Sequence, residues 1–367
     1  MTDTPLPFTP LIQGLPAVVP FVPPEALERR RGRPLKVRVG ANESAFGISP
    51  LAREAMRLAV DQVSWYNDPE AFELRTALAR LHGVALEEIC VAAGVDELLG
   101  LVVRMVVEPG AAVVTSRGTY PTFSFHVGGF GGQLCTVPYQ GDHTDLDALA
   151  AEVRRSNARL VYLANPDNPL GSWHAAAQVR AFLDQLPAHC LLVLDEAYVE
   201  FAPAEVFSPV ETQDPRLIRM RTFSKAHGMA GARIGYTLAH RQVVATLDKI
   251  RNHFAVNRVA QAGALASLGD PAFLRGVVQQ VEEGRREYQA LADELGLRAL
   301  PSGTNFVALE IGPPARRLLE VLLENDVFVR MPGVAPLDRC IRVTVGTPAE
   351  RAAVAQVLRQ VLPQVRS

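Results

Sequence analysis

Lys225 stands in the run Arg221-Thr222-Phe223-Ser224-Lys225-Ala226-His227-Gly228-Met229-Ala230-Gly231-Ala232-Arg233-Ile234-Gly235-Tyr236, with hydroxyls just before it and a guanidinium, Arg233, after it. Hydroxyls and a guanidinium among small residues are what a closely held phosphate requires. A lysine crowded by a second cation has a lowered pKa, which leaves its amine able to attack a carbonyl. A second feature is Asp195, which ends Leu191-Leu192-Val193-Leu194, a run too apolar for a surface edge. Such a carboxylate needs a partner that offsets its desolvation. Asn168 lies in the turn Asn165-Pro166-Asp167-Asn168-Pro169-Leu170-Gly171, and Gly94-Val95-Asp96-Glu97 opens a helix after Ile89 to Ala93. The first N–H groups of a helix, here those of Val95 and Asp96, can hold a phosphate without a special side chain. Taken singly, the turn is an ordinary Asn-Pro loop and the acidic helix start ordinary capping.

Phosphate, nucleophilic lysine and buried carboxylate together point to pyridoxal 5'-phosphate. The elements that must gather them are legible as continuous apolar runs: Ile89 to Ala93, Ala112 to Thr115, Leu134 to Val137, Leu160 to Ala164 and Leu191 to Leu194. Continuous runs separated by amphipathic segments predict parallel strands buried on both faces in an α/β body, with a mostly parallel central sheet flanked by helices. Ligands in such sheets collect beyond the carboxyl ends of the strands, where these polar residues fall. After Asp270, apolar residues at helical spacing run from Leu274 to Leu295, and a smaller α+β unit follows, with strand-like Phe306 to Ile311 and Ile341 to Val345. Its last helix opens at Thr347-Pro348-Ala349-Glu350, a capping box with proline in the first turn. The expected division is residues 1–45 as an N-terminal arm and part of the small domain, 46–268 as the large cofactor-binding domain and 269–367 as the small domain. The proline-rich first 40 residues are expected to pack on the small unit, and Arg29-Arg30-Arg31-Gly32-Arg33 is expected to be a solvated patch. Gly128 to Gly132 fits a turn into the following strand.

In order along nearly the whole chain, the motifs around Leu15-Pro16, Pro20-Phe21-Val22-Pro23, Ala41-Asn42-Glu43-Ser44-Ala45-Phe46-Gly47 with Ser49-Pro50, Asp195 to Phe201 and Arg221 to Tyr236 resemble the fold-type I aminotransferases, most closely the histidinol-phosphate aminotransferase group. By that resemblance Lys225 is the lysine bonded to the cofactor aldehyde, which then moves the substrate α-proton. Asp195 is the carboxylate facing the ring nitrogen. Tyr198 and Asn168 bond the ring oxygen, and Phe123, in Tyr120-Pro121-Thr122-Phe123, stacks on the ring. Thr222, Ser224 and Arg233 form the phosphate cup with the amides of Val95 and Asp96. The resemblance also implies a homodimer, with Tyr66 reaching the cofactor of the neighbouring subunit. Asn42, Arg342, Arg330 and Phe21 are the matching substrate contacts. A guanidinium at Arg342 suits carboxylate and phosphate alike, and Arg330 at a strand end reads equally as a surface residue.

The expected reaction is therefore transfer of an amino group from a donor to 2-oxoglutarate or another oxo acid. Histidinol phosphate leads as donor, for a role in histidine biosynthesis. Phe21 stands where the group often has tyrosine, and that lost hydroxyl favours aromatic amino acids as the alternative. A decarboxylase and a non-catalytic sensor are more distant readings. Lysine and arginine number 37 against 39 acidic residues, a net charge of −2, so no broad basic field suggests nucleic acid or anionic lipid as partner. No apolar run is long enough to span a bilayer. No basic-then-apolar leader is evident, and four scattered cysteines read as reduced thiols, so a cytoplasmic location is expected. The eight histidines show no metal-ligand spacing, and no metal is expected.

Overall fold

Residues 6–17 and 21–366 are described in a computed structural model of the chain; Pro20, part of one motif above, lies outside them. The strands in chain order are β1 (Val37–Arg38), β2 (Ile89–Ala92), β3 (Ala112–Ser116), β4 (Gln133–Val137), β5 (Leu160–Ala164), β6 (Leu191–Asp195), β7 (Leu217–Thr222), β8 (Gly235–Ala239), β9 (Arg298–Ala299), β10 (Phe306–Glu310), β11 (Val327–Phe328) and β12 (Cys340–Thr344). Seven of them form one sheet in the order β2-β8-β7-β6-β5-β3-β4. β8 is antiparallel to both its neighbours, and the remaining pairings are parallel. The inner parallel strands are buried on both faces, as their continuous apolar runs require, whereas the edge strand β4 buries only Val137 fully. Leu160 and Tyr162 join the core cluster on one side of β5, whereas Val161 and Leu163 join the cluster on the other. This is the α/β body with a mostly parallel sheet and flanking helices that the sequence predicts.

The helix Val95–Val106 follows β2 and buries Val95, Leu98, Leu99, Val102 and Val103 against the sheet. Asp270 caps the long helix Pro271–Glu294 by accepting from the Phe273 amide at 3.1 Å, and Ser49 Oγ donates to the same carboxylate at 2.6 Å. Beyond that helix β10 pairs antiparallel with β9 and β12. The helix Pro348–Arg366 closes the chain, its capping box formed by Thr347 and Glu350. A second core joins Val277, Val281, Phe306 and Ile341 to Val37 and Val39 of the N-terminal segment.

Two expectations for the N-terminal segment change. Residues around β1 do pack on the later unit, because β1 pairs parallel with β11. The short helix Pro10–Gly14, however, lies by the larger body, with Leu11 against Gly131 and no residue of the helix buried. The arginine patch is not merely solvated: Arg31, Arg33 and Lys36 converge on the carboxylate of Asp326. Gly128 and Gly129 end the helix Pro121–Gly129, and only the following residues make the turn into β4. Among the described residues no helix is long and apolar enough to cross a membrane.

Candidate active site

The carboxyl ends of β5, β6 and β7 meet the start of the helix Val95–Val106 around a cavity of about 340 Å³. Asp195, the last residue of β6, lines it and is 5% exposed. Its Oδ2 accepts from the Tyr162 hydroxyl at 2.7 Å and its Oδ1 from the Ala197 amide at 3.0 Å. Burial pushes the carboxyl up to about 6, and those two donors pull the other way.

Lys225 follows the end of β7 and reaches the same cavity from the loop. Its Nζ donates to the Asn42 carbonyl at 3.0 Å and lies 5.7 Å from the centre of the Tyr198 ring. Among the described residues no carboxylate lies at ion-pair distance from it. Burial, and then the nearby charge of Arg342, lower the ammonium to about 8. Asn42 is held in a left-handed backbone conformation, φ 57°. Its Nδ2 donates to Tyr198 Oη at 2.9 Å and its Oδ1 accepts from Thr344 Oγ1 at 3.1 Å. One residue thus connects the lysine, the tyrosine and β12.

Thr222, Ser224, Arg233, Val95 and Asp96 also line the cavity. No side chain caps the helix Val95–Val106, so its first amides keep their donor capacity for a ligand. Gly94 precedes them at φ +88°, and a Cβ there would come within 2.7 Å of Arg233 Nη2. Asp96 accepts from Arg233 Nη2 at 3.2 Å and from the Tyr120 hydroxyl at 2.8 Å, which orients both donors.

A wider cavity of about 770 Å³ adjoins the first and shares Asp96, Tyr120, Asn168 and Lys225 with it. Phe21, Asn42, Arg330 and Arg342 also line it. Arg342 Nη1 donates to Asn168 Oδ1 at 2.5 Å and Nη2 to the Gly40 carbonyl at 3.0 Å, while its buried Nε has no partner. Burial lowers its pKa to about 10. Arg330 Nη2 donates to the Val22 carbonyl at 3.1 Å, and its guanidinium lies 5.4 Å from the centres of the Phe21 and Phe328 rings. Among the described residues neither arginine has a carboxylate at ion-pair distance.

The residues present fit pyridoxal 5'-phosphate. The cavity has a buried carboxylate and a lysine with no carboxylate at ion-pair distance among the described residues. Uncapped helix amides also line it, and glycine stands where a side chain would strike Arg233. No group of three metal-ligating side chains occurs among the described residues.

Most of the residues singled out in the sequence meet here, with two exceptions. Phe123 is fully buried beneath the site, its ring stacked on Tyr162 with centroids 4.6 Å apart, and does not line the cavity. The helix begins at Pro121, so Tyr120 at the N-cap position enters the cavity while Phe123, one turn further, faces the core. Tyr66 is 81% exposed, with its ring 4.9 Å from that of Phe254, and lines neither cavity of this chain. His227 is turned away onto Ser267 Oγ at 2.8 Å. Tyr120, Tyr162 and Glu43 line the cavity without having been identified from sequence. A hydroxyl-bearing ring inside an otherwise aliphatic strand was the available signal for Tyr162.

The family model for aminotransferase class I and II matches residues 35–358. A histidinol-phosphate aminotransferase of Anaeromyxobacter is 38% identical over 358 residues, covering 96% of this chain and 98% of its own. One from Carboxydothermus hydrogenoformans is 33% identical over 357 residues, with the same coverage of 96% and 98%. The solved histidinol-phosphate aminotransferase of Sinorhizobium meliloti, in complex with pyridoxal-5'-phosphate, is 48% identical, with a TM-score of 0.96 over 100% of both chains.

Proposed function

The chain belongs to the class I and II aminotransferases and is a pyridoxal 5'-phosphate-dependent transaminase, and from that premise we propose that its amino donor is histidinol phosphate and its acceptor 2-oxoglutarate. The observation that carries the choice of donor is the pair Arg330 and Arg342 in one cavity, neither with a carboxylate partner among the described residues. A phosphate dianion suits two guanidiniums, whereas the single carboxylate of an aromatic amino acid leaves one of them uncompensated. The same pair suits the two carboxylates of 2-oxoglutarate, so one cavity serves both halves of the reaction. The related proteins named above support the same donor.

When bound, the cofactor supplies an aldehyde carbon for the amino group and a ring that accepts electrons as the donor's α-proton leaves. We assign Lys225 Nζ to move that proton, since an amine lowered to about 8 by burial is neutral for part of the time at physiological pH. Asp195 would hold a proton on the ring nitrogen. Tyr198 Oη and the Asn168 side chain would hold the ring oxygen, and Asn42 fixes Tyr198 by donating to its hydroxyl. Thr222, Ser224, Arg233 and the amides of Val95 and Asp96 would hold the phosphate, with Tyr120 in place of Phe123 as the aromatic beside the ring.

We further propose a homodimer, supported by the exposed Tyr66 and Phe254, whose rings lie 4.9 Å apart. Tyr66 of one protomer then reaches the cofactor of its partner. The units of residues 1–45, 46–268 and 269–367 remain our division of the chain. Four cysteines outside any disulfide are in keeping with a cytoplasmic location.

Phe21 is the observation that favours aromatic amino acids as a second reading, because its ring offers no donor where Arg330 lies over it. A panel of donors with 2-oxoglutarate decides between the two. The expected result is a kcat/KM for histidinol phosphate at least about tenfold above those for phenylalanine and tyrosine, one well-placed contact being worth that factor. The reverse order would replace the first reading with the second.

A further inference from the structure

Tyr162 is the one polar residue of β5, in the sequence Leu160-Val161-Tyr162-Leu163-Ala164. It pairs with Val193 of β6, and Ala164 pairs with Asp195. Side chains alternate along a strand, so Tyr162 shares a face with Asp195 but lies one pair deeper in the sheet. That diagonal separation is within reach of a tyrosine, and its hydroxyl donates to Asp195 Oδ2 at 2.7 Å. The ring cannot swing away: it is 1% exposed and lies against Phe123 at 4.6 Å, with 17° between the planes. Asp195 Oδ1 is taken by the Ala197 amide. Each carboxylate oxygen therefore has one fixed protein donor, and the carboxylate can neither rotate nor shift.

We infer that Tyr162 is a positioning residue for the cofactor ring nitrogen, its hydroxyl holding Asp195 Oδ2 in place as the negatively charged acceptor for that nitrogen. The inference rests on the role proposed above for Asp195. Burial works against the charged form of this carboxylate, and the Tyr162 hydrogen bond is the largest influence in the other direction. The phenol stays protonated, because burial and the adjacent Asp195 push it well above its ordinary value. It is a donor throughout. Phe123 belongs to the same device as a rigid backing for the Tyr162 ring.

Tyr162→Phe removes the hydroxyl and keeps the ring stack. The apoprotein is titrated with pyridoxal 5'-phosphate and with its 1-deaza analogue, in which a C–H replaces the ring nitrogen, and binding is followed by absorbance and equilibrium dialysis. The expected result is a dissociation constant for the natural cofactor raised about tenfold or more, as for loss of a hydrogen bond to a charged group. For the deaza analogue the change should stay below about twofold. On an Asp195→Asn background the Tyr162→Phe penalty for the natural cofactor should also shrink below about twofold. Equal penalties for both cofactors would reduce Tyr162 to a structural role and overturn the inference, as would no penalty for either. Failure of wild-type protein to bind the natural cofactor would instead bring down the cofactor reading and the inference with it, and needs no variant to be seen.

Discussion

An amine that attacks a carbonyl must be neutral when it does so, and Lys225 is held at about 8 where an ordinary lysine sits at 10.5. Below about pH 8 it is an ammonium, so the rate of cofactor capture by apoprotein should rise close to tenfold per unit from pH 6 and level off above about 8. Stopped-flow absorbance measures this directly, and a plateau reached only near pH 10 would remove the shift from the account. Lys225→Ala should cut transamination by at least about 10³-fold, the scale of a lost proton-transfer group, with little change in melting temperature. Arg330→Gln should raise KM for a phosphorylated donor about 10- to 100-fold, with a smaller effect on kcat, because it removes a charged contact made before the reaction. Asp195 was singled out in the sequence as a carboxylate ending an apolar run, and Lys225 as an amine set among hydroxyls, small residues and Arg233. The aromatic choice failed for a local reason. Tyr120-Pro121-Thr122-Phe123 offers two rings, and only the start of the helix at Pro121 decides which one turns toward the cavity. Proline in the first turn was the clue.

The sheet positions these groups, and one buried cluster ties its two central strands together. Glu196, directly after Asp195, pairs with Arg219 Nη2 at 2.6 Å and Arg221 Nε at 3.0 Å; Glu196 is 2% and Arg219 3% exposed. The two guanidiniums keep the Glu196 carboxyl below its usual range in spite of its burial. Removing one partner of such a set leaves buried charge uncompensated, so Glu196→Gln should lower stability by about 3–5 kcal/mol in urea unfolding. This cluster also explains why β7 was not recognised in the sequence: Leu217-Ile218-Arg219-Met220-Arg221-Thr222 is not an apolar run, and its arginines are tolerated inside only because Glu196 meets them. The antiparallel β8 went unread with it. At the helix start, Gly94→Ala should weaken cofactor binding about tenfold. A Cβ at φ +88° is strained by roughly 1–2 kcal/mol and also meets Arg233. An unchanged dissociation constant would deny that Gly94 shapes the cup.

At the scale of the whole molecule, the exposed side chains set the expectation. Trp65 is 70% and Tyr66 81% exposed, and the Tyr66 ring lies 4.9 Å from exposed Phe254, aromatic surface that a solitary chain would leave uncovered. Sedimentation at micromolar protein should give twice the chain mass, and a stable monomer of full activity would refute the shared site. Composition and apolar patterning made five strands of the large sheet, the long helix and main strands of the later unit and the Thr347-Pro348 helix start legible. They gave no sign that Arg31, Arg33 and Lys36 would gather on Asp326, because ion pairs between distant segments leave no periodic trace. Those contacts fasten the early chain at one end, and Gly40 and Asn42 are its other end. Gly40 O receives Arg342, while Asn42 O receives both Lys225 and Asn305. Two peptide units are thus strung like a short tether between the anion clamp and the resting amine. An anion bound at Arg342 would compete with Gly40 O for Nη2, at one end of the segment whose other end holds the Lys225 amine.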